Sequence, residues 1–135
     1  MKQLFRNLTM TAAVLTALLT ANPAAAAAAP HTESVTVTRS GGFAGHTEWY
    51  AVDSTDRDER AQEALSVTAE LRFRVLRPAY LPANPCCDRY RYEVVARYSD
   101  GTVKTVVTMD AVPGTPDVLT EVIDLVTTSG ALTQA

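Results

Sequence analysis

Ser34-Val35-Thr36-Val37-Thr38-Arg39-Ser40-Gly41-Gly42-Phe43-Ala44-Gly45-His46-Thr47-Glu48-Trp49-Tyr50-Ala51-Val52 is the stretch whose reading decides the fold. Its first six residues alternate and are rich in β-branched side chains. They predict a strand with Val35 and Val37 facing the core. His46 to Val52 predicts a second strand, paired with the first as a hairpin. Size and strand position favour a core role for Trp49, with Tyr50 on the opposite face. Between the strands, Ser40, Gly41, Gly42, Ala44 and Gly45 surround a single phenylalanine, Phe43. Glycine reaches left-handed backbone angles and lets another backbone approach closely. The connection is longer than a tight two-residue turn, which makes it a candidate contact loop. Two readings of Phe43 stand side by side: an exposed contact residue, or a side chain tucked against the sheet.

Working outward, Asp53-Ser54-Thr55-Asp56 predicts a helix start, where polar side chains accept free backbone N–H groups. From Arg57 to about Leu76, the residues Ala61, Ala64, Leu65, Thr68, Leu71 and Val75 share one face at helical spacing. Leu71 to Val75 also alternates as a strand would, and the helix is preferred. The acids Asp53, Asp56, Asp58 and Glu59 lack the spaced pattern of a calcium loop, so capping is preferred over a metal. Pro78, Pro82 and Pro85 then stop regular structure, giving a loop from Arg77 to Cys87. Tyr80 and Leu81 within it either cover the core edge or form a second contact surface kept extended by proline.

Asp88 to Tyr98 is the clearest strand. Tyr90, Tyr92, Val94, Ala96 and Tyr98 share one face, and a mainly polar set shares the other. Asp100-Gly101 marks a hairpin turn, and Val103 to Met109 returns as a fourth strand. Thr115-Pro116-Asp117 predicts a last helix with a threonine cap and proline in its first position. Val118, Leu119, Val122, Ile123 and Val126 line its inner side, Gly130 stops it, and a short loose tail follows. The expected fold is α+β: a four-stranded antiparallel sheet with two helices packed on one face, in the order ββαββα.

The first 29 residues read as a secretory signal peptide. Lys2 and Arg6 precede an apolar stretch shorter than a membrane span needs, and small residues follow from Ala24 to Ala29. Residues 30–135 then form a single domain. Loss of Lys2 and Arg6 takes the formal charge from −3 to −5. A mildly acidic chain with scattered basic residues argues against nucleic acid or an anionic membrane as the partner. Cys86 and Cys87 are the only cysteines. Neighbours cannot staple distant segments, which leaves a vicinal disulfide, two separate thiols, or a bridge to another molecule. His31 and His46 lie far from the cysteines, and no spaced zinc-ligand set exists. Ser40 and His46 are close in sequence, yet no strained elbow frames the serine as a nucleophile. A thiol site pairing either cysteine with His46 also lacks any sign of a depressed thiol pKa. No catalytic constellation emerges, and no cofactor is called for.

Val35-Thr36-Val37-Thr38-Arg39-Ser40-Gly41-Gly42-Phe43-Ala44-Gly45 resembles the opening of the emfourin family, protein inhibitors of thermolysin-like zinc metallopeptidases. The resemblance continues through Val52-Asp53, the first helix, Asp88-Arg89-Tyr90-Arg91-Tyr92-Glu93-Val94, the Asp100-Gly101 turn and the final helix. This chain departs from the family in carrying an export signal and the Cys86-Cys87 pair. The resemblance implies a tight, reversible, monomeric protein inhibitor that does no chemistry, and the signal peptide makes its expected location extracellular. It implies that the inhibitor blocks the target's active-site groove. The protease-binding residues come from the loop reading above: Ser40, Gly41, Gly42, Phe43, Ala44, Gly45, Tyr80 and Leu81, with Phe43 or Leu81 filling the apolar pocket beside the target's zinc. The alternative is a secreted structural or ligand-binding module with no protease target.

Overall fold

Thr32–Gly41 (β1) runs through the middle of the sheet, because its Val35 and Val37 are fully buried and both its edges are paired. The computed structural model describes residues 28–134. The signal-peptide reading of residues 1–29 falls almost wholly outside them. His46–Asp53 (β2) closes the hairpin with β1, in a register that sets Val37 opposite Tyr50 and Arg39 opposite Glu48. Tyr90–Tyr98 (β4) flanks β1 on the other side, antiparallel, with Val94 opposite Val37 and Tyr92 opposite Arg39. Val103–Met109 (β5) pairs antiparallel with β4. Period-two alternation places Val35, Val37, Val52, Val94, Ala96 and Val106 on one face, all at most 2 % exposed.

Two long helices cover that face. Glu59–Ala69 (α1) starts at Asp58, whose carboxylate accepts the N–H groups of Arg60 and Ala61 at 3.0 and 3.1 Å. Of the acidic cluster only Asp58 caps the helix, so the start predicted at Asp53 to Asp56 falls too early and the helix begins at Glu59 rather than Arg57. Asp53 instead accepts from Thr55, which holds its carboxyl below the usual range. Asp117–Ser129 (α3) buries Val118, Leu119, Val122, Leu125 and Val126. The molecule is thus α+β.

Several expectations need correction. The sheet has six strands rather than four and is mixed: Ala79–Tyr80 (β3) lies at one edge, followed by β5, β4, β1 and β2, with Ala131–Gln134 (β6) at the other edge. Within the segment read as loop, Ala79–Tyr80 (β3) pairs parallel to β5. The predicted loose tail is a strand: Ala131–Gln134 (β6) pairs antiparallel with β2. Edge strands this short carry too little pattern to be read locally; partner backbones define them. Gly130 does not end α3 through a left-handed angle, since its φ is −71° and its ψ 151°. Its lack of a side chain matters for another reason. A Cβ there would sit 2.6 Å from the carbonyl oxygen of Val126 and 3.0 Å from the nitrogen of Ala51. Gly130→Ala is expected to cost about 1–3 kcal/mol by forcing those backbones apart, read as a lowered denaturant midpoint. The cap of α3 is Pro116, not Thr115, whose hydroxyl donates to the carbonyl of Val112 instead.

The first helix also differs. It breaks at Glu70, whose ψ is 150°, and resumes only over Leu71–Arg74 (α2). Leu71 and Val75, expected on the buried face, are 74 % and 67 % exposed, while Phe73 is wholly buried and Leu76 nearly so. No glycine or proline breaks the helix. The restart re-aims the chain so that Phe73 and Leu76 enter the core. The ammonium of Lys104 then donates to the carbonyl of Leu76 and holds the exit against β5. Trp49 is half-buried on the open face of the sheet, and Tyr50 takes the core position instead. The hairpin register decides this, because Tyr50 lies opposite Val37.

Candidate functional site

Three connections leave the sheet at one end. β1 ends at Gly41, which pairs with Tyr90 at the start of β4 and with His46 at the start of β2. Met109 at the end of β5 pairs with Arg91, and Tyr80 at the end of β3 pairs with Thr108. The turn 42–45, the segment 81–89 and the segment 110–116 therefore project from the same rim. Leu81 and the turn leave it three strand spacings apart, a lateral distance of about 14 Å.

The turn is built by its glycines. Gly41, Gly42 and Gly45 have φ of 96°, 68° and 66°, in the region that side chains disfavour. The N–H of Gly45 donates to the carbonyl of Gly42 at 3.2 Å, closing a four-residue turn with Phe43 and Ala44 at its apex. The N–H of Gly42 donates to the carbonyl of Arg89 at 3.3 Å, which ties the turn to the strand beside it. A Cβ on Gly41 would stand 2.7 Å from the Arg89 carbonyl oxygen, and one on Gly42 would stand 2.6 Å from the Tyr90 ring. Phe43 is 94 % exposed. Of the two readings of this residue, the structure holds the outward one.

Below the turn, a polar and aromatic brace replaces the apolar core on the same sheet face. Arg39 donates to Glu48 and to the phenol oxygen of Tyr50, at 2.5 and 2.9 Å. Its guanidinium carbon lies 4.9 Å from the centre of the Tyr90 ring, a cation–π distance. Burial works against the Arg39 charge. The bond to Glu48 and the neighbouring charges nonetheless hold its pKa above the ordinary value. Tyr92 stands beside Tyr90, their ring centres 6.5 Å apart. Burial, with the adjacent Asp110 carboxylate, pushes the Tyr92 phenol up to about 12. Asp110 itself accepts the N–H of Tyr90 at 3.1 Å, so the segment 110–116 is tied to the same brace. A cavity of about 290 Å³ opens there, lined by Tyr92, Asp110, Ala111, Thr120 and Ile123 among others.

The Tyr92 shift has a pH consequence. The phenol of an unfolded chain ionises near pH 10, whereas the folded one keeps its proton to about pH 12. The stability it contributes is fully present below about pH 10 and is lost as pH rises towards 12. Tyr92→Phe should remove that part of the alkaline loss, seen as a flatter dependence of the denaturant midpoint on pH above 10.

The sequence-derived site residues divide into three groups. Ser40, Gly41, Gly42, Phe43, Ala44 and Gly45 come together at the rim. Leu81 joins them there, 45 % exposed. Tyr80 does not belong: it is 8 % exposed, its ring lies under Arg77, and its oxygen accepts the Arg77 N–H at 3.1 Å. Its place opposite Thr108 in β3 turns it into the core, so the core-edge reading holds for Tyr80. Cys86 and Cys87 lie on the segment 81–89 as two exposed free thiols rather than a closed vicinal ring. Ser40 and His46 cannot act together, because Ser40 pairs with Thr47 and so points to the opposite sheet face from His46. Among the described residues, no cluster of three or more His, Cys, Asp or Glu side chains is placed to hold a metal ion. No helix among them is long and apolar enough to cross a membrane. The brace residues Arg39, Glu48, Tyr90, Tyr92 and Asp110 escaped the sequence reading. One signal was present: Arg39 continues the Val35, Val37 face, and a charge in core register needs a partner.

Compared with protein-family models, with curated proteins and with solved structures, this chain finds no match.

Proposed function

We propose that this chain is a secreted protein inhibitor of a thermolysin-like zinc metallopeptidase. It blocks the target's cleft with the Phe43 turn and performs no reaction itself. One observation carries the reading: a large apolar side chain is 94 % exposed at the apex of a turn that two glycines lock against Arg89 and Tyr90. Exposing a phenylalanine this fully is unfavourable in isolation, and a rigid support under it reduces what binding must spend on ordering the loop. A single aromatic anchor entering an apolar pocket can dominate such an interface. Leu81, on the same rim, offers a second apolar contact, and Tyr80 is withdrawn from that role.

The residue resemblance of Val35 to Gly45 and Asp88 to Val94 to emfourins supports the choice of target class. So does the plan of two hairpins, each followed by a long helix, which underlies the ββαββα order. The leader-like N-terminal residues are consistent with a target outside the cell. The test is titration of the purified protein, as a monomer, against thermolysin-like, subtilisin-like and trypsin-like proteases. Stoichiometric, reversible loss of activity in the first class alone is expected. Full activity of every protease at saturating protein would refute the reading and leave a binding or structural module.

A further inference from the structure

We propose that Cys86 and Cys87 form a site of reversible oxidation, closing to a vicinal disulfide that loosens the hairpin turn. Both thiols are exposed and free, so a small oxidant reaches them. The two cysteines are neighbours in the chain, so a single peptide separates the carbons that bear their thiols. No other cysteine exists in the chain to compete for either. The peptide between them is trans, which holds consecutive Cα atoms about 3.8 Å apart. That lies below the usual span of a disulfide, so the ring is strained and readily reduced again. Exposed, strained disulfides are the labile ones.

A short chain of contacts leads from the sulfurs to the turn. Cys87 has a φ of 81°, an uncommon backbone state for a residue with a side chain. Its carbonyl accepts the N–H of Arg89 at 2.7 Å, and the carbonyl of Arg89 accepts the N–H of Gly42 at 3.3 Å. Ring closure refixes the Cys87 backbone, moves the Arg89 carbonyl and weakens its hold on Gly42. A dithiol in this position thereby sets how firmly Phe43 is presented, whatever Phe43 binds.

The oxidant is a low-molecular-weight disulfide such as glutathione disulfide. The Cys86 thiol loses its proton to solvent and its thiolate makes the first attack; a first attack by Cys87 leads to the same ring. A bond forms between Cys86 and one glutathione sulfur, the glutathione S–S bond breaks, and one glutathione thiolate leaves. Cys87 then loses its proton to solvent and attacks the Cys86 sulfur, releasing the second glutathione. Two protein thiols are oxidised and one small disulfide is reduced to two thiols.

The test incubates the purified protein in graded mixtures of glutathione and glutathione disulfide, followed by mass spectrometry and amide hydrogen exchange. The expected product is a monomer two hydrogens lighter, without free thiol, restored by dithiothreitol. In it the Gly42 amide should exchange about fivefold faster, the effect of losing one ordinary hydrogen bond. The double variant Cys86→Ser, Cys87→Ser should show no such acceleration in the same buffers. Formation of only glutathione adducts or cross-linked dimers would overturn the proposal. So would a closed ring with unchanged Gly42 exchange, or equal acceleration in the double variant.

Discussion

Phe43→Ala is expected to raise the inhibition constant against a thermolysin-like enzyme roughly 30- to 1,000-fold, the range of a dominant interface anchor. The unfolding midpoint should stay where it is, because a side chain 94 % exposed gives up almost no buried surface on truncation. This pairing separates the contact role from a folding role. A folded Phe43→Ala protein that inhibits as well as the parent would rule the anchor out. Gly42→Ala supplies the complementary result. Its Cβ would meet the Tyr90 ring at 2.6 Å, and φ is 68° there, so the turn must shift while Phe43 remains. Weaker inhibition by this variant, with Phe43 intact, would locate the effect in how the anchor is held. Inhibition at parental strength would show that the Tyr90 support does not matter for binding.

Phe73→Ala should be the most damaging single truncation in the core, costing about 3–5 kcal/mol. Phe73 is the largest of the fully buried side chains, and it sits on the four-residue α2, which makes few backbone bonds of its own. A domain of this size has a total stability of about 5–15 kcal/mol, so a substantial unfolded fraction at ambient temperature is the expected result. Leu71→Ala, two residues away, should change stability by less than about 0.5 kcal/mol, since Leu71 is 74 % exposed. Denaturant midpoints of the two variants give the comparison. Equal losses at both positions would mean that the chain runs as one straight helix through Glu70, with Leu71 on its inner face.

Those two residues also show where local pattern reaches its limit. The stripe Ala61, Ala64, Leu65, Thr68 is helical and buried as its spacing indicates. Extrapolating it to Leu71 and Val75 fails, because α1 ends at Ala69 with no residue that breaks helices. The four long strands, the Asp100-Gly101 turn and the last helix were legible, since each repeats an apolar period over enough residues to stand out. The two short edge strands were not, because their only signature is a partner backbone. Within the candidate site, the turn from Ser40 to Gly45 was legible through its glycines. The brace of Arg39, Glu48 and Tyr92 was not, because its members come from three strands and meet only when the registers are set.

What the amino-acid order alone determined is the α+β character, the central hairpin, the faces of its strands, and a glycine-built turn carrying one phenylalanine. These follow from side-chain period and backbone permissiveness, which act within a few residues. Tertiary structure alone decided that Phe43 points into solvent, that Tyr80 turns inward while Leu81 stays on the rim, and that Phe73 displaces Leu71 from the core. Each is a choice between apolar side chains of similar local pattern. Burial settles such a choice only when the opposing surface, contributed by distant parts of the chain, is in place.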